Sequence, residues 1–257
     1  TDDLPEVIYA REYDAAISPN GNIPVHAFNL ISPTFFANSS TGNKYSLWVN
    51  VYGVSERYLN VYGEKDLRAQ MNQFFHRTYT HPVDGTTLDM KMLCNWYWYD
   101  ETAILETGKG TKDWNFYRYA ETLLSAAEAI AQSSGVNAEA AGYLAQVKAR
   151  ANMEGKDAST IASELQRLGK QAFIEECWKE RLREFPLEMK IWDDCVRTGK
   201  FPQISATNKG EVQFVDLIGA KNGSGATFKA TDLYWPIPVN EIQRNPNLTQ
   251  NEGYSAK

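Results

Sequence analysis

Carboxylates stand side by side at Glu175–Glu176 and Asp193–Asp194, and paired acids are the working groups of glycoside hydrolysis. Both pairs fall in stretches with helical spacing. Adjacent residues on a helix point about 100° apart and do not face each other. Lys179, Arg181, Arg183 and Arg197 stand close by, so the pattern reads as ion pairing on or between helices. Glu180, Arg181, Glu184 and Glu188 continue it as a series that would order helix packing. His26, His76 and His81 lack the i,i+4 spacing of a metal pair, and His81 precedes Pro82 in a turn-like stretch. Cys94, Cys177 and Cys195 are too few and too scattered for a disulfide framework or a zinc site, and read as separate buried thiols. No GxSxG elbow and no phosphate-cradling glycine loop occurs. The residues call for no cofactor and no metal, and the chain reads as a non-enzyme.

The side chains with binding chemistry are aromatic. A sugar ring offers an apolar C–H face that a flat Trp or Tyr can pack, while Asn, Asp or backbone groups take its hydroxyls. "NKYSLWVN" and "NWYWYD" set such groups together. The candidates are Tyr45, Trp48 and Asn50 in the first, Tyr52 just after it, and Trp96 and Trp98 in the second. Trp96 and Trp98 would share one face of a short strand, where packing against helices competes with binding. Trp114, Trp178 and Trp192 fall on or beside helices and read as core; Trp235, before Pro236, reads as an anchor for the C-terminal tail.

The elements that must position these groups fall into two textures. Residues 1–114 read as strands, turns and loops: "EVIYAREYD", "KYSLWVNVYG", "QMNQFFHRTYT" and "KMLCNWYWYD" as strands, "SERYLNVYGEKDLR" as a short helix begun by Ser55. Residues 115–257 read as helices. Phe116, Ala120, Leu123, Leu124, Ala127, Ile130 and Ala131 recur at helical spacing; Gly135 supplies a C-cap and Asn137 the next N-cap. Ala140, Leu144, Val147 and Ala151 form the next stripe. Small residues allow this antiparallel pair to approach closely, as in tetratricopeptide-type repeats. A long helix is expected over 160–185, with Ile161, Leu165, Leu168 and Ala172 inward and Pro186 ending it. One more helix would end at Gly199. The expected class is α+β, predominantly α: tetratricopeptide-like helical repeats packed against a loop-rich region with short strands.

A net charge of −6 disfavours a nucleic-acid partner, whose phosphates need a basic footprint. No window approaches the ~20 apolar residues of a membrane-spanning helix.

Four ordered blocks resemble the SusD/RagB family of outer-membrane nutrient-binding lipoproteins, the starch-utilisation type of Bacteroidetes. "DWNFYRYAETLLSAAEA" is similar to its Arg-Tyr-Ala-Asp/Glu-x-Leu-Leu-x-x-Ala-Glu-Ala helix, through Arg118, Tyr119, Ala120, Glu121, Leu123, Leu124, Ala127 and Glu128. "AQVKARANM" stands where the family has Leu-Asn-x-Val-Arg-x-Arg-Ala. "ERLREFPLEMKIWDDCVRTGKFP" resembles its Glu-Arg-x-x-Glu run, with Met189, Ile191 and Pro186 as departures. "YWPIPVNEIQRNPNLTQNEGY" follows the family's terminal Ile-Pro-x-x-Glu-x-x-x-Asn-Pro-x-Leu-x-Gln-Asn-x-Gly-Tyr nearly position for position. That tail is expected to be a structural clasp lying flat over the helices, because residues before proline are pushed to extended geometry.

The resemblance implies a cell-surface protein that captures oligosaccharide and delivers it to a SusC-like TonB-dependent transporter. It implies that this sequence is the C-terminal portion of a longer chain, anchored to the outer membrane by a lipid on the missing N-terminus. A RagB-like peptide-capturing lipoprotein and a helical-repeat protein-interaction scaffold are the alternatives.

Overall fold

The computed structural model describes residues 4–14, 16–17, 54–82, 85–101 and 110–255. These fall into two compact units, residues 1–190 with 204–212, and residues 191–203 with 213–257. The fold is helix-rich α+β, with three two-stranded sheets among the described residues.

In the larger unit β1 (Val7–Arg11) pairs antiparallel with β4 (Trp114–Arg118), and β2 (Phe75–Thr80) with β3 (Thr87–Asn95). The stretch after Ser55 forms a 3-10 helix, Glu56–Val61, and a second one spans Leu67–Ala69. Four helices follow: α1 (Tyr119–Ser134), α2 (Ala138–Ala149), α3 (Ala158–Leu165) and α4 (Lys170–Glu184). The α1–α2 turn is built as its residues dictate. Gly135 takes φ +82°, a conformation open to glycine at no steric cost, and the Asn137 side chain accepts from Ala140 N at 2.9 Å. Ala120, Ala127, Ala131, Ala140, Ala141 and Ala145 are fully buried, and the absence of side-chain bulk lets α1 and α2 pack along their length.

Two expected helices are corrected. Phe116 is not on the first helix; residues 114–118 are strand, because they find a partner in β1 a hundred positions away. The long helix is two helices, broken at 166–169 where Gly169 caps α4. The break resets the inward face to Phe173, Ile174 and Cys177, leaving Ala172 exposed and Leu168 at the surface. The three cysteines are buried thiols. No helix among the described residues is long and apolar enough to cross a membrane.

The C-terminus of α4 is where the unit is tied together. A helix leaves its last four carbonyls without partners. Here Phe185 N takes Arg181 O, the Tyr58 hydroxyl donates to Leu182 O at 2.7 Å, and Tyr62 to Arg183 O at 3.0 Å. The same end gathers arginines, whose charge suits the negative pole of the helix. Glu184 meets Arg68 (2.9 Å), Arg118 (3.2 Å) and Arg150 (2.8 Å). Glu180, 1 % exposed, meets Arg68 (2.9 Å) and Arg183 (3.2 Å). Arg118 also grips Glu188 with two nitrogens, at 2.9 and 2.7 Å, and reaches Glu6 on the approach to β1 at 2.9 Å.

In the smaller unit are α5 (Ile191–Thr198), most of the paired strands β5 (Lys200–Ile204) and β6 (Val212–Asp216), a 3-10 turn (Ala230–Leu233) and α6 (Val239–Arg244). The tail closes on its own turns. Gln250 holds both Ile237 N and Ile237 O at 2.8 Å, Asn251 donates to Trp235 O at 2.7 Å, and Tyr254 donates to Thr231 O at 2.9 Å. Gly253 sits at φ +84° with Thr231 where a Cβ would be, so only glycine closes this turn. Trp235 does not anchor the tail through its ring, which is 88 % exposed; the anchor is its carbonyl. Trp192 is likewise partly exposed, against Phe228 at 5.7 Å.

Removing one member of a buried ion cluster leaves the others uncompensated, at about 3–5 kcal/mol. Glu184→Ala should therefore lower unfolding free energy by that order in urea titration, against about 0.5 kcal/mol or less for the surface change Glu139→Ala. Acid should act on the same cluster. Burial pushes Glu176 upward, but Lys148 and Arg183 overcome it and hold its carboxyl down from 4.5 to about 2. A depressed folded pKa contributes stability above the unfolded value that is lost as pH falls toward the folded one. The melting temperature should drop between about pH 4.5 and about 2, and Glu176→Gln should flatten that drop.

Candidate functional site

The β2–β3 hairpin ends in a cluster of rings. Its register shifts between His76 and Thr78, a bulge that re-aims the side chains beside it. Trp96 N donates to Phe74 O at 2.7 Å, and Tyr99 N to Trp96 O at 3.1 Å, turning the chain back on itself. The half-buried Trp96 ring then stacks on His76 at 4.0 Å and 11°, and on Tyr99 at 4.8 Å and 14°. The buried Tyr79 supports it from 5.8 Å. Burial lowers the His76 pKa from its usual value, so at neutral pH the stack contains imidazole, an aromatic ring without charge. Burial raises the Tyr99 phenol, which stays protonated and bonds Glu101 at 3.1 Å.

Trp96 and Trp98 do not lie on one strand face; both follow β3, in the turn. They also have different environments. Trp98 is 4 % exposed, stacked on Trp114 at 4.9 Å and 15°, with Tyr97 edge-on at 4.8 Å, and its indole N–H donates to Leu187 O at 3.1 Å. It is a packing residue, closed to a ligand. Tyr45, Trp48, Asn50 and Tyr52 lie outside the described residues.

Residues 111–113 join this turn to the stretch after β1. Asp100 accepts from Thr111 N at 2.8 Å, and Lys112 bonds Tyr97 O and covers the Tyr97 ring at 5.2 Å. Asp113 accepts from Tyr13 N at 2.9 Å, a contact that joins positions one hundred apart. The segment carrying Tyr45, Trp48, Asn50 and Tyr52 follows directly on from Ile17, whose N–H is held by Asp14 at 2.9 Å. His76 and Tyr99 were not legible as members of the stack. Tyr99 had a signal in its three-residue spacing from Trp96; His76 had none, since cross-strand pairing depends on a bulge.

A second concavity, of about 440 Å³, is lined by Asp66, Arg68, Lys148, Glu180 and Arg183, with Lys156 and Glu164 farther out. Its charges are already matched. Arg68 holds Asp66 at 2.7 Å and Glu180 at 2.9 Å, and Lys156 holds Glu164 at 2.9 Å. Among the described residues no three metal-binding side chains cluster.

These environments predict different consequences for two tryptophans. Trp98→Ala empties a packed site and should lower unfolding free energy by about 3–5 kcal/mol. Trp96→Ala should cost less and remove the near-ultraviolet circular dichroism of the stack. Urea titration and spectra of both variants check this.

Residues 36–254 match the SusD family. Over 138 residues the chain is 36 % identical to the starch-binding protein SusD of Bacteroides thetaiotaomicron, covering 54 % of this chain and 21 % of that protein. It superposes on a SusD superfamily protein from Parabacteroides distasonis with a TM-score of 0.77 at 28 % identity, over 97 % of this chain and 50 % of that one. The fold is also that of surface glycan-binding protein A from Bacteroides thetaiotaomicron, solved with laminarihexaose (TM-score 0.60, 19 % identity, 96 % and 52 % covered). The chain thus spans about half the length of these solved structures. With a match running over most of its length, the chain belongs to the SusD family.

Proposed function

We propose that the protein captures an oligosaccharide at the cell surface and delivers it to a SusC-like TonB-dependent outer-membrane transporter, acting by binding and not by conversion. The observation that carries this is the aromatic turn at 96–99, where His76, Trp96 and Tyr99 stack, in a chain of the SusD family. Relatives named as a starch-binding protein and a laminarihexaose-bound glycan-binding protein support the ligand class. Stacked rings give a sugar a rigid apolar face at little entropic cost, and neighbouring amides and phenols take hydroxyls. Trp48, Tyr45, Asn50 and Tyr52 would complete the platform. Attachment to the outer membrane would be through a lipid.

The electrostatics favour capture over hydrolysis. A glycosidase needs an acid with a raised pKa facing a second carboxylate across a cleft. In the polar cleft Glu180 is held below its usual value by cations that overcome its burial. Burial does raise Glu188, but Arg118 grips both of its oxygens.

Retardation of the full-length protein in native gels cast with a panel of polysaccharides tests the proposal. One polysaccharide should retard the parent, and Trp48→Ala and Trp96→Ala should lose at least most of that retardation with the fold intact. Shortening of the polysaccharide during incubation would overturn the capture reading. No retardation by any glycan, with binding of peptides instead, would move the ligand to the RagB-like class.

A further inference from the structure

We propose that Asn222–Gly223 is a self-modification site, at which a loop of the smaller unit promotes closure of its own asparagine to a succinimide. Residues 219–228 form a tight loop. Gly219 N donates to Phe228 O, Phe228 N to Ala220 O and Asn222 N to Ala226 O, each at 2.9 Å, and Gly225 N donates to Asn222 O at 3.0 Å. Inside this frame three donors converge on Asn222 Oδ1: Ser224 N at 3.0 Å, the Ser224 hydroxyl at 2.8 Å and Ala226 N at 3.0 Å. That convergence identifies the atom as the carbonyl oxygen. The amide nitrogen is left on the other side, donating to no protein group among the described residues. The Gly223 N–H is equally uncommitted there, and Gly223, Ser224 and Gly225 are exposed.

Donors fixed on a carbonyl oxygen polarise its carbon and stabilise the charge that gathers on oxygen when a nucleophile adds. The nucleophile here is the next nitrogen in the chain, on a residue with no side chain to shield it. Gly223 N loses its proton to solvent and bonds to Asn222 Cγ, while Oδ1 takes the negative charge among its three donors. The Cγ–Nδ2 bond then breaks, and ammonia leaves with a proton from solvent. Water opens the five-membered ring at either carbonyl, giving aspartate or isoaspartate. One water is consumed and one ammonia released, with no change of oxidation state. In the isoaspartate product the backbone runs through the former side chain, which alters the loop whose end, Phe228, packs on Phe201 at 5.2 Å.

The experiment incubates the protein at neutral pH, folded and in denaturant, and follows residue 222 by mass spectrometry of digests for conversion of amide to acid. The folded protein should convert severalfold faster than the denatured one. Ser224→Ala should slow the folded reaction severalfold and leave the denatured one unchanged, and Ser224→Thr, which restores the hydroxyl, should recover it. A folded rate equal to or below the denatured rate overturns the proposal, as does a folded Ser224→Ala protein that converts at the parent rate. Asn20–Gly21, the other Asn-Gly pair of the chain, should keep its rate in every Ser224 variant; a matching slowing there would also overturn the proposal.

Discussion

The larger unit depends on how the C-terminal turn of α4 is neutralised. Glu180 and Glu184 are taken out of water on a helix end that already carries negative partial charge, an arrangement unfavourable by itself. It becomes tolerable because cations converge there: Arg68 from the second 3-10 turn, Arg118 from the end of β4, Arg150 from the end of α2 and Arg183 from α4 itself. Tyr58 and Tyr62 complete the closure by occupying the carbonyls that the helix cannot satisfy. One helix end thereby ties together the first 3-10 turn, the end of β4 and the end of α2.

The aromatic turn at 96–99 inherits its rigidity from that frame. Trp98 is packed on Trp114 and bonded to Leu187, three residues beyond the α4 terminus, so the neighbouring Trp96 is presented from a fixed base. Two tryptophans two positions apart thus divide the work: one supports the turn from beneath, the other contributes to the stack. The half-buried Trp96 thus stands on a rigid support.

Much of the helical half was legible in the sequence. The alanine stripes of α1 and α2 are periodic, and Gly135 and Asn137 terminate and start helices by local chemistry that needs no distant partner. The ordered Glu–Arg series was legible as ion pairing, though its partners Arg68 and Arg118 lie 116 and 66 positions from Glu184 and carry no periodic mark. Phe116 was misread because residues 114–118 keep helical spacing with α1 and reveal themselves as strand only once β1 is beside them. The fused reading of α3 and α4 failed for a different reason: a lone Gly169 is a weak break in sequence but a sufficient one in structure. Trp235 beside proline suggested burial, whereas the tail is held by amides and a phenol acting on backbone atoms, contacts that leave no hydrophobic signature.

The convergence on Glu184 also sets an order of events during synthesis. Arg68 and Arg118 emerge from the ribosome well before the carboxylate that will pair them, and until then they remain solvated. The α1–α2 pair, whose contacts are local, can form at once, while closing the long loops back to α4 waits for translation to pass residue 184. A chain interrupted after α2 but before residue 184 therefore keeps its helical pair and loses the closure that holds the 3-10 turns and β4 to α4.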